Sequence, residues 1–360
     1  MNRNLAAGDR AVPSLGNGGS LKQHGTHRLA RRNLGSHLIS LQYLRAFAAI
    51  IVVGTHTRLA QTELGSAGVD IFFVVSGFVM IMVGERAESP LAFLASRALR
   101  IVPLYWYVTL VQGIVDQVSL RHLGLSMAFW PHIDAQGWGL PVVIQGWTLV
   151  FEIFFYFIVS ASLFAPAKFR VGGLCIALAS LVLAGRILPP SNHVIQVYTS
   201  PLLLEFLAGV LLCQVWKRGW LPKGQGALIS LCLGIGLLLA QVSLPVPVAW
   251  RVILWGVPAI LIVAALLGLE AGTRLPLWPW LSAIGDASYA IYLTHGILVF
   301  ELGLPRLVAG LPASIAIAIL VLASIAAGLV VNKFVERPMA AWSKRQIQAV
   351  CNKPFVKSLK

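Results

Sequence analysis

Acidic residues are scarce: Asp and Glu together number 13 in 360 positions, and all four charged types make up only 11% of the chain. A soluble domain carries about 25% charged residues. With 58% hydrophobic residues and a mean hydropathy of +0.80, the polar surface is too small to cover a soluble globule, so a soluble enzyme, a secreted scaffold and a disordered chain are all excluded. Cysteine is sparse as well. Cys175, Cys213, Cys232 and Cys351 show no CxxC spacing, which leaves neither a disulfide framework nor a zinc site, and no bound metal is expected. The first 37 residues contain no apolar run that reads as a signal peptide, and no internal repeat of the transporter kind is visible.

What is abundant is length of apolar sequence. Ten stretches reach or approach the roughly 20 residues that a membrane-crossing helix needs, near 39–59, 66–83, 102–119, 148–166, 172–188, 199–216, 227–244, 250–269, 287–304 and 312–332. The expected fold is therefore all-α, a polytopic membrane bundle of about ten helices. Residues 120–147 are too broken by Gly, Pro and charge to form another span, and read as an external loop in which Trp130 and Trp138 suit the headgroup level.

Basic residues outnumber acidic ones 28 to 13, a net charge of +15. A pI near 10.2 would suit a nucleic-acid partner if the cations clustered on one wet face. Instead, 22 of the 28 fall in the segments that share a side with the N-terminus. That is the positive-inside pattern, so both termini are expected in the cytoplasm and no nucleic-acid partner is expected. Three regions follow: a disordered basic tail over 1–37, a membrane domain over 38–346, and a basic cytoplasmic tail over 347–360.

Ionisable groups inside a bilayer cost about 2.5–3.5 kcal/mol on insertion scales, so each is a functional candidate. Arg45 and His56 in the first span are eleven residues apart, about 16 Å along a helix and on nearly the same face; a snorkelling Arg and a structural His are the alternative. Asp70, near the start of the second span, lies at the end toward which His56 points. It reads as the carboxylate that orients the imidazole, or as a helix N-terminal charge. Arg97 and Arg100 share a helix face at the entrance to the third span, where two guanidiniums suit a phosphate, or simply anchor the topology. Glu152 is buried toward the external end of the fourth span, with Glu205 similarly placed in the sixth. His295 falls about 12 Å inside a ninth span starting at 287, on a stripe with Tyr289 and Tyr292.

These residues resemble the membrane acyltransferase 3 family, integral-membrane O-acyltransferases of bacterial surface and exported glycans. Arg45 and His56 match its Arg-x10-His signature, Gly68 to Phe78 (GVDIFFVVSGF) its second-helix motif, and Arg97-Ala98-Leu99-Arg100 its Arg-x-x-Arg segment. Trp147-Thr148-Leu149 with Glu152 and Tyr156, Ser288-Tyr289 with Tyr292 and His295, and Glu336-Arg337-Pro338 follow in the family's order. The stretches LQYLRAFAAIIVVGTH and RALRIVPLYW look most like the exopolysaccharide acetyltransferase branch. Gln42 stands where many members have Asp.

The resemblance implies acyl-CoA, acetyl-CoA foremost, as co-substrate with no bound cofactor. It implies His56 as catalytic histidine and Arg97 and Arg100 as contacts to the donor's phosphates. The expected acceptor is a polysaccharide or lipid-linked glycan, and the expected location is the bacterial inner membrane, in contact with its lipid. On this reading His56 with Asp70 serves as base, or His56 is itself acylated. Arg45 organises the donor channel, Glu152 positions the acceptor or a proton path, and His295 is a second proton carrier. The competing reading is a transporter or lipid-linked glycan flippase with a proton relay. The acyl group, the sugar and the oligomeric state stay open at this level.

Overall fold

The structure is a computed structural model that describes residues 38–57, 64–188, 190–241, 250–272, 275–342 and 345. The expected tails 1–37 and 347–360 lie outside the described residues. Among the described residues there is no strand. The ten principal helices are α1 Ile39–His56, α2 Gly65–Gly84, α3 Pro90–Val115, α4 Trp147–Ser162, α5 Ala167–Ile187, α6 Leu203–Arg218, α7 Gln225–Ala240, α8 Val257–Gly272, α9 Pro279–Gly296 and α10 Ala313–Val331. Among the described residues, nine helical stretches are long and apolar enough to cross a membrane, and α7 is a shorter apolar helix. The chain is thus an all-α polytopic membrane protein. Here the end of the bundle where α1 begins is termed the near end, and the end where α1 finishes the far end.

α2 carries one charged side chain, Asp70, in twenty residues and is otherwise largely apolar all round, and a helix of that kind belongs in the middle of a bundle. It packs on α1, α6, α8 and α4, while α9 packs on α1 and α10. Without a hydrophobic drive in lipid, helices associate by close backbone approach at small residues. Gly77 and Gly209 provide one such contact: a Cβ on Gly77 would lie 2.1 Å from the Phe206 carbonyl oxygen, and one on Gly209 2.1 Å from that of Val74. α2 and α6 therefore meet backbone to backbone. Gly68 makes the matching approach to α1, where an added Cβ would be 2.7 Å from the Ala48 carbonyl oxygen.

Two polar devices fix the near end. The first amide N–H groups of any helix lack partners within it, and those of Ile39 and Ser40 donate to the Glu270 carboxylate of α8 at 2.9 and 3.0 Å. The carboxylate also meets the positive end of the helix dipole. The Tyr43 hydroxyl donates to the Pro276 carbonyl at 2.6 Å and accepts from the Trp278 amide at 2.7 Å, which ties α1 to the start of α9.

Two helices begin earlier than hydropathy suggests. α3 starts at Pro90 rather than near 102, with Pro at its first position and the Ser89 side chain accepting from the Ala92 amide at 3.1 Å. Arg97 and Arg100 are therefore about two turns inside a helix. α9 starts at Pro279 rather than near 287, so His295 lies sixteen residues in, about 24 Å from the near end. The expected depth of about 12 Å is corrected, and His295 reaches the end of the bundle that holds His56.

Candidate active site

Two cavities among the described residues gather most of the expected site residues. The near one, of about 130 Å³, is lined by Arg45 from α1, Arg97 and Arg100 from α3, Glu152 and Tyr156 from α4, Ser76 from α2, and Tyr289 and Tyr292 from α9. Arg45 of α1 and the Arg97–Arg100 pair of α3, expected at the donor, are thus brought together by two helices. Three guanidiniums face one carboxylate, and apolar walls strengthen that field relative to water. The Glu152 carboxylate accepts from Ser76 Oγ at 3.2 Å and from the Tyr156 hydroxyl. It stands among the arginines rather than beside His56, so the expected placement of Glu152 at the acceptor is revised. The Tyr289 hydroxyl donates to the Ile101 carbonyl at 2.7 Å, holding α9 against α3.

The far cavity, of about 310 Å³, is lined by His56, Thr55, Ser66, Gln145, Trp147 and Arg251 together with Val69 and Tyr292. Val69 and Tyr292 also line the near cavity, so the two spaces meet at these side chains. The Tyr292 hydroxyl is held there, 3.0 Å from Thr148 Oγ1 and 3.2 Å from the Gln145 carbonyl oxygen to which it donates.

His56 is half-buried at the end of α1. Its Nδ1 lies 2.8 Å from the Val52 carbonyl oxygen. A carbonyl only accepts, so the neutral ring carries its proton on Nδ1 and its lone pair on Nε2. His295, fully buried, repeats the device with Nδ1 at 3.2 Å from the Ile291 carbonyl. The two imidazoles stand 5.2 Å apart between ring centres. The Nε2 of His295 faces the Gln145 amide nitrogen at 3.5 Å, a donor at the long end of hydrogen-bond range.

The expected His56–Asp70 dyad is not built. Asp70 Oδ1 accepts from Arg251 Nη2 at 2.8 Å, and its Oδ2 has no hydrogen-bond partner among the described residues. The physical reason is burial: Asp70 and Glu205 are both 0% exposed, and a carboxylate removed from water needs a full cation beside it. Arg251 supplies one and lies 5.6 Å over the Trp147 ring. The orienting partner of His56 is a backbone carbonyl of its own helix instead.

Arg251 and Gln145 are therefore site residues that motif reading passed over. Arg251 carried a signal, an arginine within an apolar stretch, but its partner is 181 residues away. Gln145 carried none, since a single Gln before a helix is ordinary. Its importance comes from what it touches: its carbonyl accepts from Thr148 at 3.1 Å and from Tyr292, and its amide lies over Gly296, where a Cβ would be 2.1 Å from Nε2. Among the described residues no group of three or more His, Cys, Asp or Glu is placed to hold a metal ion.

A bundle of membrane-length helices whose interior charges line two adjoining cavities has the form of a membrane enzyme. The chain belongs to the acyltransferase 3 family, whose acyltransferase domain it matches over residues 38–333. It is 36% identical over 291 residues to the exopolysaccharide production protein ExoZ of Rhizobium meliloti (strain 1021), covering 77% of this chain and 90% of that one. It is also 27% identical over 363 aligned residues to the acyltransferase MdmB of Streptomyces mycarofaciens, covering 84% of this chain and 91% of that protein. No solved structure matches.

Proposed function

We propose that the protein is an O-acyltransferase of the bacterial inner membrane that moves an acyl group, acetyl foremost, from acyl-CoA to a hydroxyl of an exported polysaccharide or its lipid-linked precursor. The observation that carries this reading is the contrast between two adjoining cavities. The near one holds three guanidiniums against one carboxylate and suits a polyanionic donor. In the far one, Arg251 is already paired with Asp70, which leaves a space suited to a neutral sugar beside a basic histidine. The name of the relative ExoZ favours an exopolysaccharide acceptor.

In the mechanism, Arg97 and Arg100 bind the phosphates of CoA, and Arg45 guides the pantetheine arm toward Val69 and Tyr292. His56 Nε2 takes the proton from the acceptor hydroxyl as its oxygen attacks the thioester carbonyl. The C–S bond then breaks, and the proton passes from the imidazolium to the departing thiolate, so ester and free CoA thiol form in equal amounts. The Val52 carbonyl steadies the imidazolium through Nδ1–H, the role a carboxylate has in other histidine bases.

Purified protein in lipid nanodiscs, given radiolabelled acetyl-CoA and oligosaccharide, is expected to form a base-labile labelled ester with one free thiol per ester. Movement of lipid-linked glycan between leaflets without labelled ester would overturn the reading in favour of a flippase. With acceptor omitted, no label is expected on the protein; stoichiometric label on His56 would replace direct transfer by an acyl-histidine route.

A further inference from the structure

A third cavity, of about 230 Å³, lies under the segment that joins α3 to α4 and shares Trp147 as a wall with the His56 cavity. Trp130, Phe151, His132 and His193 line it as well. On the scale where one water position takes about 10–15 Å³, a pyranose of twelve heavy atoms takes about 120–180 Å³. The space therefore has room for one sugar ring.

Its two histidines differ in what they have left to offer. His132 is fully used, with Nε2 at 2.7 Å from His122 and Nδ1 at 2.8 Å from the Trp130 carbonyl. The ring nitrogens of His193 have no partner among the described residues. The loop lies directly on that ring: a Cβ on Gly139 would be 2.5 Å from His193 Cε1, so glycine is what allows the segment to close over the imidazole. Broad aromatic faces with one free polar group suit a sugar, whose C–H bonds present positive hydrogens to the negative π-face while its hydroxyls seek a donor or acceptor. No lysine or arginine lines the cavity, which disfavours a phosphate.

We propose that this cavity is a second glycosyl subsite, which holds the ring adjoining the one presented to His56. The acceptor is then an oligosaccharide or polysaccharide read over at least two sugar units. Trp147 divides the two subsites, and the segment 130–141 closes the outer one. This inference rests on the acyl-transfer reading for its choice of occupant.

The test uses the full chain in nanodiscs, labelled acetyl-CoA, and fragments of the host cell's own exopolysaccharide, de-esterified and sized to one, two and four rings. In the wild type kcat/KM is expected to rise about tenfold or more between one ring and two. Trp130→Ala and His193→Ala are expected to remove about tenfold of kcat/KM for the longer acceptors through KM. The single-ring rate and the KM for acetyl-CoA should stay unchanged, and His193→Gln, which keeps a donor and an acceptor, should recover most of the loss. Equal kcat/KM at every length, or variants that lose all acceptors alike, would overturn the subsite and leave acyl transfer standing. Saturation-transfer NMR with the four-ring fragment and no acyl donor separates the two ideas. Contact that depends on Trp130 without any acyl transfer would keep the subsite and overturn the transferase, whereas lipid displaced from the cavity with no effect of sugar would overturn the subsite.

Discussion

Removing the arginine pair that opens the near cavity gives a loss whose size and kind can both be worked out. Arg97 is half-buried and Arg100 exposed, three residues apart on α3. A hydrogen bond to a charged group contributes about 1.5–3 kcal/mol, and solvent exposure pulls such pairs down toward about 1 kcal/mol. Taking about 1.4 kcal/mol for each, which is tenfold in an equilibrium, the double variant Arg97→Ala/Arg100→Ala should raise KM for acetyl-CoA about 100-fold. The turnover number should move by less than about threefold, because the thioester reacts beside His56, roughly 16 Å along α1 from Arg45. Initial rates with acetyl-CoA and with acetyl-pantetheine, which lacks the phosphates, make the assay specific. The double variant should use acetyl-pantetheine as well as the wild type does. An unchanged KM for acetyl-CoA, or an equal loss with both donors, would mean that the arginines only anchor the topology.

Gln145→Ala should lower kcat by about 2- to 12-fold, the worth of one neutral hydrogen bond of about 0.5–1.5 kcal/mol. Gly296→Ala should reproduce that loss, since its new Cβ would occupy the place of Nε2 at 2.1 Å; the two losses should not add in the double variant, and additive losses would detach Gly296 from Gln145. In the loop outside the membrane, His122 is held below the usual imidazole pKa of 6.5, first by desolvation and then by His132, with Asp134 pulling the other way. The folded loop therefore binds this proton less readily than the unfolded one, and its stability falls as pH drops below about 6.5. The protection factors of amide exchange over 120–132, taken relative to the intrinsic rate at each pH, should fall on acidification, and His132→Gln should raise the NMR-measured pKa of His122; no change in that pKa would separate the pair.

Ten helices were legible because each carries its own apolar run, and the Arg97–Arg100 pair because a spacing of three puts both on one helix face; the placing of Arg45 beside them followed from the family resemblance, since spacing alone paired it with His56. Helix starts were less legible where the first turns are amphipathic. The segment from Pro90 to Ile101 is too polar to register as a span, although Ser89-Pro90 is a local start signal, and the same holds for Trp278-Pro279. Pairing across the fold was not legible. Asp70 and His56 are neighbours along the chain and share an end of the bundle, yet the stronger cation for a buried carboxylate arrives from Arg251 on a distant segment. Gln145 acquires its role from the absent side chain of Gly296, a fit that no spacing encodes.

The central claim is that His56 Nε2 is the base that moves the acceptor proton. Its direct test is the rate of acetyl transfer from labelled acetyl-CoA to oligosaccharide by His56→Ala, purified in nanodiscs alongside wild type and matched for membrane insertion and acetyl-CoA binding. Transfer should fall below detection while donor binding stays within about twofold. A variant that binds the donor and still transfers acetyl at the wild-type rate would contradict the account.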